Sequence, residues 1–499
     1  MLHLKSADLS KQAIEVLAIP VCEDKDIHED RLIQSIVKKA LALKEFGGKK
    51  DEEVTLYDLP DIKARRVMVR GLGKSEKLDL EALRTMAGRT VKSCIKKELT
   101  DLWLVAPEAA KIDLEMPAVL QAMQEGAMLG NHIFHKYKVE NKKTALKQIN
   151  FLVKPRIVKE LRHLCSRVAA VCEGTCLARD WVSTPSNEKT PEKFARSIVN
   201  LAKKQRLKIQ VLSESQLKQK KFHALLAVAA GSQCKPGLVV LQYKAAGAKN
   251  TVALVGKGVT FDSGGLNIKT GGSIADMKSD MSGAAAVAAT LITAARLKTK
   301  VNLIGVIPIV ENMPSGKASR PGDIIRSYAG KTIEIGNTDA EGRLILIDAM
   351  AYALKRYKPQ LLIDLATLTG ACVVALGEKI AGVFSNDEHL AASIVSAGEK
   401  THERCWRMPL PDDYKELLKS DFADINNMPS SRWGSAITAA LFLSEFVGDT
   451  PWAHIDIAGP AYLKKENAYC GPGGSGFGVR LLMELLERMV KTEGEKVTR

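Results

Sequence analysis

Val252-Ala-Leu-Val255, Val301-Asn-Leu-Ile-Gly-Val-Ile-Pro-Ile-Val310 and Leu361-Leu-Ile-Asp-Leu-Ala366 are three apolar runs set apart by helical patterns. Strands buried on both faces read as continuous apolar runs rather than as alternating ones. Their separation by helical stretches predicts a mixed, largely parallel sheet sandwiched by helices, an α/β architecture. The alanine-rich stretch Ser282–Leu297 predicts one of those helices, buried and packed closely on its neighbours.

Upstream of this sheet the pattern changes. Ala13-Ile-Glu-Val-Leu-Ala-Ile19, Arg66-Val-Met-Val-Arg70 and Leu102-Trp-Leu-Val-Ala106 are short strand-like runs among helical patterns, with no dense cluster of Asp, Glu and His. Residues 1–154 are therefore expected to form a smaller, non-catalytic N-terminal α/β domain. Ile157, Leu161, Leu164, Val168, Val171 and Cys172 then recur at helical spacing, and Ser183-Thr-Pro-Ser-Asn-Glu-Lys-Thr-Pro191 breaks the pattern. A connecting helix and loop over 155–184 and a C-terminal catalytic domain over 185–499 follow. Two domains also suit the 499-residue length, because single cores stop growing near ~300 residues.

Composition excludes several classes. The nine cysteines are odd in number and include no CxxC pair, which argues against a disulfide framework or a structural zinc site of that type. The N-terminus lacks the basic start and apolar core of a secretory signal, and no apolar run is long enough to span a membrane. A cytoplasmic protein is expected. The net charge of +16 leaves a nucleic-acid-binding role open, yet the lysines are spread in short runs such as Lys218-Gln-Lys220-Lys221, as on solvated helix faces.

Ligands in open α/β sheets bind beyond the carboxyl ends of the strands. The first strand leads into Gly256-Lys257-Gly-Val-Thr-Phe-Asp262-Ser-Gly-Gly265, the second into a long loop ending in Gly336-Asn-Thr-Asp339-Ala-Glu341-Gly-Arg343, and Met277-Lys-Ser-Asp280 lies between them. Each acidic group has a plain alternative. Asp262 reads as a turn aspartate and Asp280 as the N-cap of the alanine-rich helix. Asp339, Glu341 and Arg343 fall on one side of an extended backbone, where Glu341 and Arg343 form a surface ion pair. Lys257 is harder to dismiss, since a lysine beside an apolar core pairs with a carboxylate or loses its proton. Four carboxylates and a lysine on one side of a sheet suit Mg²⁺, Mn²⁺ or Zn²⁺ and point to a divalent-metal hydrolase. Gly471-Pro-Gly473-Gly-Ser-Gly476 matches a dinucleotide fingerprint in letters only, because no clear strand leads into it. There is no HExxH and no GxSxG, and His454 in Trp452-Ala-His-Ile-Asp-Ile457 is expected to be a core or interface histidine.

Asn337-Thr-Asp-Ala-Glu-Gly-Arg-Leu344 resembles the signature octapeptide of the leucine aminopeptidase, or cytosol aminopeptidase, family. The segments 256–265 and 277–281, Ala366-Thr-Leu-Thr-Gly-Ala371 and Trp452-Ala-His-Ile-Asp-Ile-Ala-Gly459 are similar to other blocks of that family, in the same order. Leu177-Ala-Arg-Asp-Trp-Val-Ser-Thr-Pro185 is similar to the family's lead-in to the catalytic domain. The resemblance implies an aminopeptidase that releases N-terminal leucine or other hydrophobic residues from peptides, with two Mn²⁺ or Zn²⁺ ions per subunit. It implies that Asp262 and Glu341 bridge both ions, that Asp339 completes the first site, and that Lys257 and Asp280 complete a second, more exchangeable one. Lys269 would face the substrate carbonyl, Arg343 would hold a bicarbonate, and Met277, Thr367, Leu368 and Gly370 would line the substrate pocket. A homohexamer acting on short peptides with a free N-terminus is implied as well. Ser282 stands where many relatives have glycine, which leaves the ligand set intact.

Overall fold

The computed structural model of the chain describes residues 2–140 and 143–497. It divides into two compact units, one of residues 1–173 with 465–472 and one of residues 174–464 with 473–499. In the first unit β1 (Leu2–Lys5), β2 (Val16–Val21), β3 (Glu53–Tyr57), β4 (Arg66–Gly71), β5 (Asp101–Val105) and β6 (Gln148–Leu152) form one sheet in the order β1-β6-β5-β2-β4-β3. All of its pairings are parallel except β3 with β4. Three helices accompany it, α1 (Arg31–Leu41), α2 (Leu80–Lys96) and α3 (Met116–Gly130). The expected smaller α/β domain is thus present. The helical pattern that begins at Pro155 is a single helix, α4 (Pro155–Ser183), which runs through the division between the units.

The second unit contains, in chain order, α5 (Pro191–Lys204), β7 (Lys208–Leu212), α6 (Glu214–Gln219), α7 (His223–Ala229), β8 (Gly237–Tyr243), β9 (Thr251–Gly256), β10 (Gly258–Asp262), α8 (Ser282–Leu297) and β11 (Asn302–Asn312). A small sheet of β12 (Ile324–Arg326), β13 (Thr332–Glu334) and β17 (Ile425–Asn426) lies outside the main one. The remaining elements are α9 (Glu341–Tyr357), β14 (Leu361–Ala366), α10 (Gly370–Leu376), β15 (Ala381–Ser385), α11 (Glu388–Thr401), β16 (Cys405–Arg407), α12 (Ser435–Ser444), β18 (Trp452–Asp456) and, beyond the short β19 (Tyr462–Leu463) and β20 (Gly473–Gly474), α13 (Val479–Val497). The main sheet runs β16-β15-β18-β14-β9-β11-β8-β7, with β10 paired to β11. Its centre, β18-β14-β9-β11, is parallel, while β8 and β7 at one side and the β15–β18 pair at the other are antiparallel. The expected mixed sheet is present, and the three quoted runs are its adjacent strands β14, β9 and β11.

Both faces of that centre are buried, which is why the runs are apolar without alternation. Ala253, Val255, Ile304, Val306 and Leu362 join a core with Leu344, Ile345, Leu346 and Ile347 of α9 and with residues of α7 and α12. On the other face Gly305 makes room for Leu291 of α8, because a Cβ there would lie 2.9 Å from both Leu291 methyls. The start of α8 sits directly on the ends of two strands. A Cβ on Gly283 would fall 2.0 Å from the Leu365 carbonyl oxygen, and one on Gly256 would fall 2.5 Å from the Gly283 carbonyl oxygen. Only glycine permits that approach, and it draws the segment just before α8 onto the tip of β9.

None of the nine cysteines is in a disulfide. Among the described residues no helix is long and apolar enough to cross a membrane.

Candidate metal centre

Lys257 follows β9, Asp262 ends β10, Asp280 stands between the 3₁₀ segment Gly272–Ser279 and α8, and Asp339 and Glu341 lie just before and at the start of α9. These chain-distant positions converge. Lys257 Nζ is 2.8 Å from Asp280 Oδ1 and 2.7 Å from Glu341 Oε1, and donates to the Thr367 carbonyl at 2.9 Å. Lys269 Nζ is 2.7 Å from Asp262 Oδ2 and 2.6 Å from Asp339 Oδ1. Carboxylate oxygens of Asp262, Asp280 and Glu341 lie within 4.8 Å of one another. Lys257, Asp262, Asp280 and Glu341 are buried, whereas the Asp339 side chain is 33% exposed.

Four carboxylates against two ammonium groups leave this cluster two negative charges in excess. Burial and the Asp262 charge push the Glu341 carboxyl well up, partly offset by Lys257. Burial does the same to Asp280, against the pull of Lys257, and to Asp339 with Asp262 adding to it. Burial opposes the charge on Lys257, yet Asp280, Glu341 and Asp262 together hold its proton more firmly than usual. Lys257 and its partners Asp280 and Glu341 therefore all favour protonation, the signature of a site short of positive charge. Asp280 Oδ2 and Glu341 Oε2 are buried without a hydrogen-bond partner. An unsatisfied buried acceptor costs about 1–3 kcal/mol, more when charged. Divalent cations would satisfy both oxygens and cancel the excess charge, so these residues fit a metal centre.

Two of the plain alternatives fail here. Asp280 is not the cap of α8; Met281 occupies that position, and Asp280 Oδ1 instead accepts from Lys257 and from Thr367 Oγ1 at 2.7 Å. The extended alternation of Asp339, Glu341 and Arg343 is also wrong. Glu341 opens α9 and Arg343 lies in its first turn, both buried, so no surface ion pair forms. Side chains two apart diverge by about 200° on a helix. Arg343 Nη1 donates to the Asn427 carbonyl at 2.5 Å, its guanidinium lies 5.9 Å from the Phe442 ring centre, and its Nε is buried without a partner. Burial pulls its pKa down to about 10, which still leaves it charged.

Thr367 touches the cluster through both its hydroxyl and its carbonyl. Leu368 follows on the same loop and Gly370 opens α10, while Met277 is half-buried, three residues before Asp280. Several residues that hold this site escaped the sequence. Asn312, at the end of β11, donates to Asp262 Oδ1 at 2.8 Å and to the Thr338 carbonyl at 3.1 Å. Thr338 Oγ1 and the Asn267 amide group lock the 262–269 loop to the 336–341 loop. Asn427 accepts from the backbone of Gly336 and Asn337 and donates to the Asn337 carbonyl. Asp456 accepts from the backbone of Leu368, Thr369 and Ala458. The one available signal was position, since Asn312 and Asp456 sit at carboxyl ends of strands. His454 is in the core as expected, with Nδ1 2.6 Å from Asp364 Oδ1, although its Nε2 has no partner.

Residues 176–483 match the catalytic domain of the cytosol aminopeptidase family, and residues 22–141 match its N-terminal domain. The chain belongs to the cytosol aminopeptidase family. A probable cytosol aminopeptidase of Geobacter sp. (strain M21) is 44% identical over 449 residues, covering 89% of this chain and 90% of that protein. One from Protochlamydia amoebophila (strain UWE25) is 43% identical over 452 residues, 89% of each. Among solved structures, the bottromycin maturation enzyme BotP is 34% identical with a TM-score of 0.84, over 96% of this chain and all of that one. It is also known in complex with Mn, with the same likeness to this chain. This aminopeptidase is therefore a metalloenzyme that uses a divalent cation.

Proposed function

We propose that this aminopeptidase is leucyl-type and acts in intracellular peptide turnover, holding two Mn²⁺ or Zn²⁺ ions on Lys257, Asp262, Asp280, Asp339 and Glu341. The orphaned oxygens of Asp280 and Glu341, buried in a cluster with excess negative charge, are the observation that carries this reading. Asp262 and Glu341 would serve both ions, Asp339 the first, and Lys257 and Asp280 the second. Two divalent cations, when bound, lower the pKa of water and polarise a carbonyl.

The rest falls to the side chains. Lys257 would have to lose its proton to solvent to serve as a ligand, which becomes favourable when divalent cations neutralise the carboxylates that hold that proton. Lys269 is released from Asp262 and Asp339 in the same way. As a charged donor it then stabilises the negative charge that develops on the substrate carbonyl oxygen. Arg343 stays protonated and cannot act as a base. Its Nε, buried without a partner, would hold a bicarbonate, which would supply general acid–base chemistry beside the cluster. Met277, Thr367, Leu368 and Gly370 line the pocket for a hydrophobic N-terminal side chain.

A carboxylate-rich, cation-loaded site recognises a free α-amine. Purified protein with Mn²⁺ is therefore expected to release p-nitroaniline from leucine p-nitroanilide and to spare the N-acetylated substrate. Equal cleavage of both would defeat the exopeptidase reading. A homohexamer is part of the same proposal, and light scattering at micromolar concentration should give six-subunit particles rather than monomers. The odd number of cysteines, scattered without a repeated spacing, supports a reducing, cytoplasmic setting. Nucleic-acid binding is a separate proposal that rests on the +16 charge; it requires a gel shift of random DNA at low salt that disappears at high salt.

A further inference from the structure

Lys189 is 2% exposed and has no carboxylate among its hydrogen-bond partners. Its ammonium donates instead to three carbonyls, those of Trp181 at 2.7 Å, Val182 at 3.2 Å and Lys278 at 2.7 Å, with Met281 Sδ at 3.3 Å. Three acceptors match the three donors of a charged lysine head and work against the burial, and the nearby Lys278 charge, that pull its pKa well down. Trp181 and Val182 lie in the last turn of α4, where carbonyls lack helical partners and the helix dipole favours a cation. Lys278 and Met281 belong to the segment that carries Met277 and Asp280. Burying a lysine is costly, and a shorter or apolar side chain would cap nothing here.

We propose that Lys189 is a positioning residue for the aminopeptidase reaction: its ammonium fastens the segment bearing Asp280 and Met277 to the end of α4, and so sets the second metal site. The inference rests on the reading of Asp280 as a ligand of that site. Lys189 touches neither substrate nor cation. It fixes the backbone two residues before Asp280 and, through Met281, one residue after it. On the near side Asp280 is held by Lys257 and Thr367, so the carboxylate is gripped between β9, β14 and α4.

The test is Mn²⁺ titration of the metal-free, full-length protein, resolving the tighter and weaker sites, together with kcat and KM for leucine p-nitroanilide at limiting and saturating Mn²⁺. Lys189→Met keeps the length and removes the three donors; Lys189→Gln keeps two donors and stays measurable if the methionine variant folds poorly. Residues supporting a metal ligand typically contribute about 10–100-fold to metal affinity. Lys189→Met should therefore weaken the weaker site by at least about tenfold, with the tighter site unchanged and kcat largely recovered at saturating Mn²⁺. Lys189→Gln should fall between it and the unaltered protein. Lys189→Arg should restore most of the affinity. Unchanged affinity at the weaker site in either neutral variant, or an equal loss at both sites, overturns the proposal. Asp280→Asn separates the two readings. If it leaves the weaker site intact, the assignment of Asp280 is at fault; if it abolishes that site while the Lys189 variants do not, the role of Lys189 alone is wrong.

Discussion

Glu341→Ala and Asp262→Ala are each expected to reduce bound metal below two ions per subunit and to lower kcat by more than about 10³, beyond the 10²–10³ lost with a single oxyanion donor. Both carboxylates are buried at the centre of the cluster and are assigned to both ions. Removing either leaves the two cations with one shared carboxylate instead of two, and no nearby group is placed to substitute because Asp280 and Asp339 are each assigned to one ion. Metal analysis after dialysis, alongside kcat, checks this. Retention of two ions by Glu341→Ala would show the ligand assignment to be wrong. Without metal the same crowding acts on stability. Glu341 and Asp280 bind protons more tightly folded than unfolded. Their contribution is thus favourable while they are protonated and is lost as pH rises from the ordinary carboxylate range through their raised values. In a chelator the melting temperature should fall over that window, and Mn²⁺ should flatten the fall.

The second large effect separates the two positive side chains that are not assigned as ligands. Lys269→Ala removes a charged donor to the developing oxyanion, and a loss on the order of 10²–10³ in kcat is expected. Arg343→Ala leaves the metals in place and removes only the seat of the anion that carries the proton, so a smaller loss of roughly 10–10² is expected. The Arg343 variant should also lose any dependence of rate on added bicarbonate, whereas the Lys269 variant should keep it. Both should bind two metals. Loss of metal in Lys269→Ala would place that lysine among the structural supports of the cluster, in keeping with its pairing with Asp262 and Asp339.

The central sheet was readable because its strands are buried on both faces, and burial of that kind writes itself as unbroken Val, Ile and Leu. The bounds of α8 were readable because alanine and glycine were required where it packs on β9 and β14. Single polar residues were harder. Asp280 sits where a cap belongs, and only the arrival of Lys257 from another strand shows that it is not one. Asp339, Glu341 and Arg343 alternate in sequence, but a helix begins between the first two and turns their side chains apart. Asn312, Asn427 and Asp456 were hard to single out because they act on groups of distant loops, and beyond the strand-end position of Asn312 and Asp456 an isolated Asn or Asp carries no local mark of such a task. Lys189 was hidden in a breaker-rich stretch, where a single lysine carries no local mark of burial.

The order of strands in the main sheet differs from their order along the chain. On the ribosome β9 emerges before β11, and β14 emerges last of the three, yet β9 lies between the other two. During synthesis, then, β9 waits with one edge unpaired until β14 arrives. Lys257, at its tip, meets Asp280 as soon as α8 docks; Glu341 comes only with α9, and the Thr367 carbonyl only after β14. A nascent chain therefore cannot complete the contacts of Lys257 until β14 and the loop after it have emerged.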